Sequence, residues 1–311
     1  MGWTFVLRLL GDRPIPPRRA GAFDHGDVHL PSGRVFVTHT SDGTVEVLDP
    51  WPGKHRVSIP GCPEGSGLLC LPDRDEVVAA SRATGRVVVI SATTFKVLRT
   101  VQVGAKPNGL AWDPGHQRLL VADVGPNPSA RLVDLSAGKV EHEVPLPGRP
   151  RWCLYDSLSS SFLLNIREPS ALLSLRSMDL ATASSTPIPA EGPHGLAIDA
   201  QARRAFVAAD DAQLVVLSLA TSQVERTLPL TGPPDVVWHD LRTHRLYVAV
   251  GEPGKVDVFD TLTFKRVDTV DTQRGCHTSA IDPKRGYFYA FLPQQSALQV
   301  FSTADGPRGG P

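Results

Sequence analysis

The sequence predicts an all-β protein, a seven-bladed β-propeller with four-stranded antiparallel blades. Three observations carry this prediction. Similar wording returns along the chain: "GAKPNGLAWDPGHQRLLVAD" from Gly104, "AEGPHGLAIDAQARRAFVAAD" from Ala190, "TGPPDVVWHDLRTHRLYVAV" from Thr231 and "QRGCHTSAIDPKRGYFYAF" from Gln273. The residues leading into the seven apolar runs are His25, Ser66, Asn108, Arg151, His194, Asp235 and His277, spaced 41 to 43 residues apart. Between them lie short runs rich in Val, Ile and Leu, broken by turn residues, with no helical periodicity beyond a turn or two. A repeat of about 42 residues with strand-like content marks propeller blades.

Each repeat resolves into four strands, because β-branched and aromatic runs suit buried sheet positions and Gly, Pro, Asn and Asp punctuate them. The first repeat reads "GDVHL", "RVFVTHT", "TVEVLD" and "HRVSIP"; the second reads "GSGLLCL", "EVVAAS", "RVVVIS" and "KVLRTVQV". The third runs "NGLAWD", turn "PGHQ", "RLLVAD", loop "VGPNPS", "ARLVDL", turn "SAGK" and "VEHEVPL". The sixth gives "DVVWHD", "RLYVAV", "KVDVFD" and "KRVDTV". The seventh stops after "ALQVFST" and lacks a fourth strand, while the N-terminus offers an unassigned one, "WTFVLRLL". An N-terminal strand completing the last blade removes two open sheet edges. The expected organisation is one domain over residues 1–303 and a disordered tail, "ADGPRGGP", over 304–311.

A single unit of 311 residues suits a closed repeat architecture. Zero formal net charge gives no electrostatic reason for nucleic acid or an anionic membrane as partner. Cys62, Cys70, Cys153 and Cys276 show no C-x-x-C spacing and read as free thiols of a reducing compartment. The first residues lack a signal peptide's basic start and cleavage site, and no stretch is long enough to span a bilayer. A cytoplasmic monomer is expected, since a closed propeller needs no partner.

The wording "KPNGLAWDP…RLLVAD…ARLVDLSAGKVEHEVPL" and "RLYVAV…GKVDVFDTLTFKRVDTV" resembles the YVTN-repeat seven-bladed propellers over nearly the whole chain. That resemblance implies fold more than function, because the family includes both binding proteins and enzymes. More distantly similar are gluconolactonase-like hydrolases, diisopropyl fluorophosphatase and virginiamycin B lyase, which place a metal or catalytic group on the axis. None has a motif that carries over residue by residue.

Ring closure makes blades 5, 6, 7 and 1 neighbours, so His194, Asp235, His277 and His25 are expected on one arc of the channel mouth. Three imidazoles and a carboxylate suit Zn, Fe, Mn, Ni or Cu. The same residue types also serve simply to bond turn backbones. Arg151 is a candidate to hold an anionic substrate, and His39 and Glu168 are candidate general bases. Asp42, Asp123, Arg167, Asp210, Asp211 and Glu252 lie on loops of the same face. His29 and His239 are expected between blades, and His55, His116, His142 and His244 at the surface.

H-E-x-x-H, G-x-S-x-G, P-loop and G-x-G-x-x-G signatures are absent from the sequence. Two functions follow. One is a metal-dependent enzyme at the channel mouth that hydrolyses a small lactone or ester, or eliminates across a substrate as a lyase does. The other is a non-catalytic propeller that binds a small ligand or a protein on its top face.

Overall fold

A computed structural model describes residues 6–16 and 20–303. Seven four-stranded antiparallel sheets stand around a ring, and no helix occurs among the described residues. The inner strands are Phe23–His29, Gly65–Cys70, Pro107–Asp113, Pro150–Asp156, Pro193–Asp199, Pro234–Asp240 and Ser279–Asp282, in blades 1 to 7. In blades 1 to 6 the next three strands follow outward in chain order.

Blade 7 is built differently, as the missing fourth strand predicts. Its outermost strand is Leu7–Pro14, paired antiparallel with Ala297–Thr303. This strand lies further along the chain than "WTFVLRLL" suggests, and residues 1–5 lie outside the described ones. It runs on past Leu10 because the register shifts between Leu9 and Gly11. Gly11 takes a φ of 144°, a backbone angle that side chains disfavour. The expected tail at 304–311 lies outside the described residues.

The core is divided among the seams between blades. Seven hydrophobic clusters fill these seams, one per neighbouring pair. The second and third strands are almost wholly buried, whereas fourth strands such as Val97–Gln102 are largely exposed. Polar side chains stitch the inner ends together. Thr38 Oγ1 donates to the Ser66 carbonyl of blade 2 at 2.7 Å. Asn165 Nδ2 donates to the Gly195 carbonyl of blade 5 at 2.9 Å. Thr278 Oγ1 donates to the Asp24 carbonyl of blade 1 at 2.8 Å, across the closure.

Neighbouring inner strands approach so closely that glycine is required beside the ring. A Cβ on Gly67 would stand 1.9 Å from the Asn108 carbonyl oxygen, and one on Gly195 would stand 2.1 Å from that of Asp235. At the opposite end, Asp113, Asp156, Asp199, Asp240 and Asp282 close the first hairpin turns by accepting backbone N–H groups.

Candidate functional site

The channel carries two layers of different chemistry. At the lead-in face, where each chain segment enters its inner strand, charged side chains converge. Asp235 carries a negative charge that interacts with His194, His277 and His25, so the residues of the anticipated arc do come together.

Register corrects one of them. In blades 1 to 6 the lead-in residue follows the one paired with the last residue of the second strand. Phe23 pairs with His39, Gly65 with Ser81 and Pro107 with Asp123. The blade 1 counterpart of Ser66 and Asn108 is therefore Asp24, and His25 lies one residue further into the channel. From Asp24 the step to Ser66 is 42 residues, within the spread of the other steps, so spacing alone does not reveal the offset.

Within this layer both nitrogens of His194, Nδ1 of His25 and Nε2 of His277 already have partners. His194 Nδ1 lies 2.9 Å from Asp210 Oδ1, and Nε2 lies 3.2 Å from Asp235 Oδ1. Burial disfavours charge on His194, but Asp235 and then Asp210 outweigh it and raise its pKa to about 9. This favours the imidazolium, hydrogen-bonded to Asp210 through Nδ1 and ion-paired with Asp235 through Nε2. Burial pushes Asp235 the other way, and His194, His277 and His25 prevail, holding its carboxyl well below the usual range. Arg167 Nε extends the chain to Asp210 at 3.1 Å. On the other side, Asp24 bonds both His25 Nδ1 and Arg82 Nη2. His277 Nε2 donates to the Phe23 carbonyl at 3.1 Å, and Ser66 Oγ donates to that of Pro107 at 2.9 Å.

This donor set does not fit a bound ion as it stands. A metal ligand must offer a lone pair, and neither nitrogen of His194 nor Nε2 of His277 has one free. Among the described residues, no group of three or more His, Cys, Asp and Glu side chains is arranged to hold a metal.

The remaining candidates are dispersed. Arg151 stands half-buried in the charged layer and interacts with Asp210 and Asp235, while burial and Arg149 act to lower its pKa. His39 is fully buried in blade 1, stacked on Phe23 at 4.4 Å with Glu46 and Asp42 alongside, away from the channel. Glu168 is exposed on a loop. All four cysteines are buried and free.

Beyond the charged layer the channel changes character. His25 of blade 1 and Trp152 of blade 4 stack across the axis, ring centroids 4.6 Å apart, with Trp238 edge-on to Trp152 at 6.3 Å. Past this floor lies a cavity of about 840 Å³ that all seven blades line. Its walls are apolar and aromatic, including Leu68, Leu110, Trp112, Tyr155, Leu196 and Ile198. It reaches the first-turn face, where Leu30, Pro31, Pro72, Pro114, Pro283 and Lys284 form its rim.

Sequence reasoning missed this cavity, because it placed the site at the lead-in mouth. His29 and His239, expected between blades, line it. Burial lowers the pKa of both, which favours the neutral ring. His239 Nδ1 donates to the Ile198 carbonyl at 3.1 Å. Asp27 is the one carboxylate among the described lining residues. Burial pushes its pKa up to about 6, although the backbone N–H groups of Cys70 and Val28 bond it.

No protein-family model matches this chain, and no curated protein does. The fold and site geometry define the class: a seven-bladed β-propeller with a charged layer at one end of its channel and an apolar cavity at the other. Among the described residues, no helix is long and apolar enough to cross a membrane.

Proposed function

We propose that the protein is a binding propeller whose central cavity takes a small, largely apolar molecule. The observation behind this is the 840 Å³ cavity, concave, apolar and built by all seven inner strands. Small-molecule sites have volumes of about 300–1,000 Å³ and mix apolar walls with a few polar groups. The His25–Trp152 stack supplies a flat aromatic floor. The YVTN-like wording of the repeats suits a binding role, and the four free, buried cysteines suit the reducing, cytoplasmic setting expected from sequence.

Ile198 is half-buried on the cavity wall. Ile198→Trp is expected to fill the space and weaken binding of an apolar fluorescent probe at least tenfold, while the far-ultraviolet circular dichroism stays unchanged. Titration of the probe against both proteins measures this. Equal affinity would place the probe elsewhere and end the cavity reading.

The metal-dependent lactonase or lyase is the second reading. What favours it is the convergence of His194, His277 and His25 on Asp235. It requires His194 to release Asp210 or Asp235, whereas His277, bonded through Nε2, would ligate through Nδ1. Stoichiometric Zn, Fe, Mn, Ni or Cu in protein purified without a histidine tag would speak for it.

A further inference from the structure

The seven inner strands make an internal comparison possible, since register identifies equivalent positions. Asp27 pairs with Phe36, the third residue of the second strand of its blade. The residues so placed in the other blades are Leu69, Ala111, Leu154, Ala197, Trp238 and Ala280. Six blades carry an apolar side chain where blade 1 carries a carboxylate.

The repeat therefore does not demand a carboxylate there. Asp27 Oδ1 accepts the Val28 N–H at 2.7 Å and Oδ2 accepts the Cys70 N–H at 2.8 Å. Each oxygen keeps a further acceptor site, since an ionised carboxylate offers about four. The side chain is half-buried and borders the cavity rather than a seam. The same cavity is lined by the indoles of Trp112, Trp152 and Trp238 and the ring of Tyr155. Aromatic faces attract cations, most strongly where water is excluded. Lys284, at the rim, is the only Lys or Arg among the described lining residues.

We propose that this cavity selects an organic amine, with Asp27 receiving the protonated nitrogen and the aromatic walls enclosing the apolar body. This rests on the cavity being a ligand site. One carboxylate within apolar walls is the arrangement that distinguishes an ammonium from a neutral group of the same shape, because the wrong ligand leaves the buried charge unpaired.

The test uses 2-(2-naphthyl)ethylamine and the matched 2-(2-naphthyl)ethanol, titrated calorimetrically at pH 7.5 into the full chain. The wild type is expected to bind the amine at least tenfold more tightly than the alcohol, and Asp27→Asn to bind both alike. Asp27→Leu, which installs a residue type of the other blades, is expected to lose the same preference. Equal wild-type binding of amine and alcohol, or an amine preference that survives Asp27→Asn, would overturn the proposal and leave the cavity reading intact. Failure of both probes to bind would remove the cavity reading and this proposal together.

Discussion

Deleting residues 1–14 is expected to abolish cooperative folding of the monomer. The strand Leu7–Pro14 is the outer edge of blade 7, so its loss leaves Ala297–Thr303 as an open edge. It also removes Val6 and Leu7 from the seam they share with Tyr247, Phe288 and Phe301. The N–H groups of Val6 and Leu7 bond Asp268 Oδ2 of blade 6, so this strand ties blade 6 to blade 7 as well. An exposed edge next to unfilled apolar surface invites strand pairing between chains. Size-exclusion chromatography should therefore show aggregates or strand-exchanged oligomers. A synthetic peptide of residues 1–16, added during refolding, should restore the monomer. A milder form of the same test is Ile15→Ala. Ile15 has no exposed surface, and its N–H bonds the Ser296 carbonyl at 2.8 Å. Truncating a buried Ile costs about 2–5 kcal/mol. A truncated protein that stays monomeric with an unchanged melting temperature would show that the clasp is not needed for closure.

The second large effect concerns His194. This imidazolium is 16% exposed and Asp235 is 24% exposed, so solvent screens the pair only in part. His194→Gln removes the cation that Asp210 and Asp235 share, leaving Asp210 to Arg167 and Asp235 to the charges of its other neighbours, and is expected to cost about 1.5–3 kcal/mol, as losing a hydrogen bond between charged groups does. The pH dependence follows from the direction of each shift. His194 has a folded pKa raised to about 9 against an unfolded value of about 6.5. Its contribution, up to about 3 kcal/mol, is complete below about pH 6.5 and is lost as pH rises through 9. Asp235 and Asp210 are shifted down, so their contribution is present above the ordinary carboxylate range and disappears as pH falls. The melting temperature of the wild type should thus decline between pH 6.5 and 9.5, and calorimetry on His194→Gln should show that decline largely gone. An identical alkaline decline in both proteins would mean that His194 is not held as a cation.

The wheel was readable from sequence because its cause is local and repeated. Strands such as Glu76–Ser81, Arg86–Ser91, Arg245–Val250 and Lys255–Asp260 coincide with the apolar runs, since their Val-rich pattern and flanking turns leave little choice of boundary. Inner strands were harder. Each of the first six has a register shift at its lead-in residue, which disturbs the alternation that tells one face from the other. For this reason repeat spacing alone puts His25 where Asp24 stands and turns His29 and His239 away from the cavity that they line. The convergence on Asp235 follows from counting blades. That His194 spends both nitrogens on carboxylates depends on rotamers, and no spacing encodes it. Asp27 was legible in principle, as the one acidic residue at a position that is apolar in six other repeats, but only once register had aligned the blades.

The claim that the apolar half of the channel is the binding site can be tested directly by a crystal structure with a bromine-substituted naphthylethylamine. An anomalous peak beyond the His25–Trp152 stack, on the side of Pro72 and Pro114 and with the amine nitrogen at Asp27, is the predicted result. A peak among Arg151, His194 and Asp235 instead, or a channel without bromine in crystals that carry it elsewhere, would contradict the account.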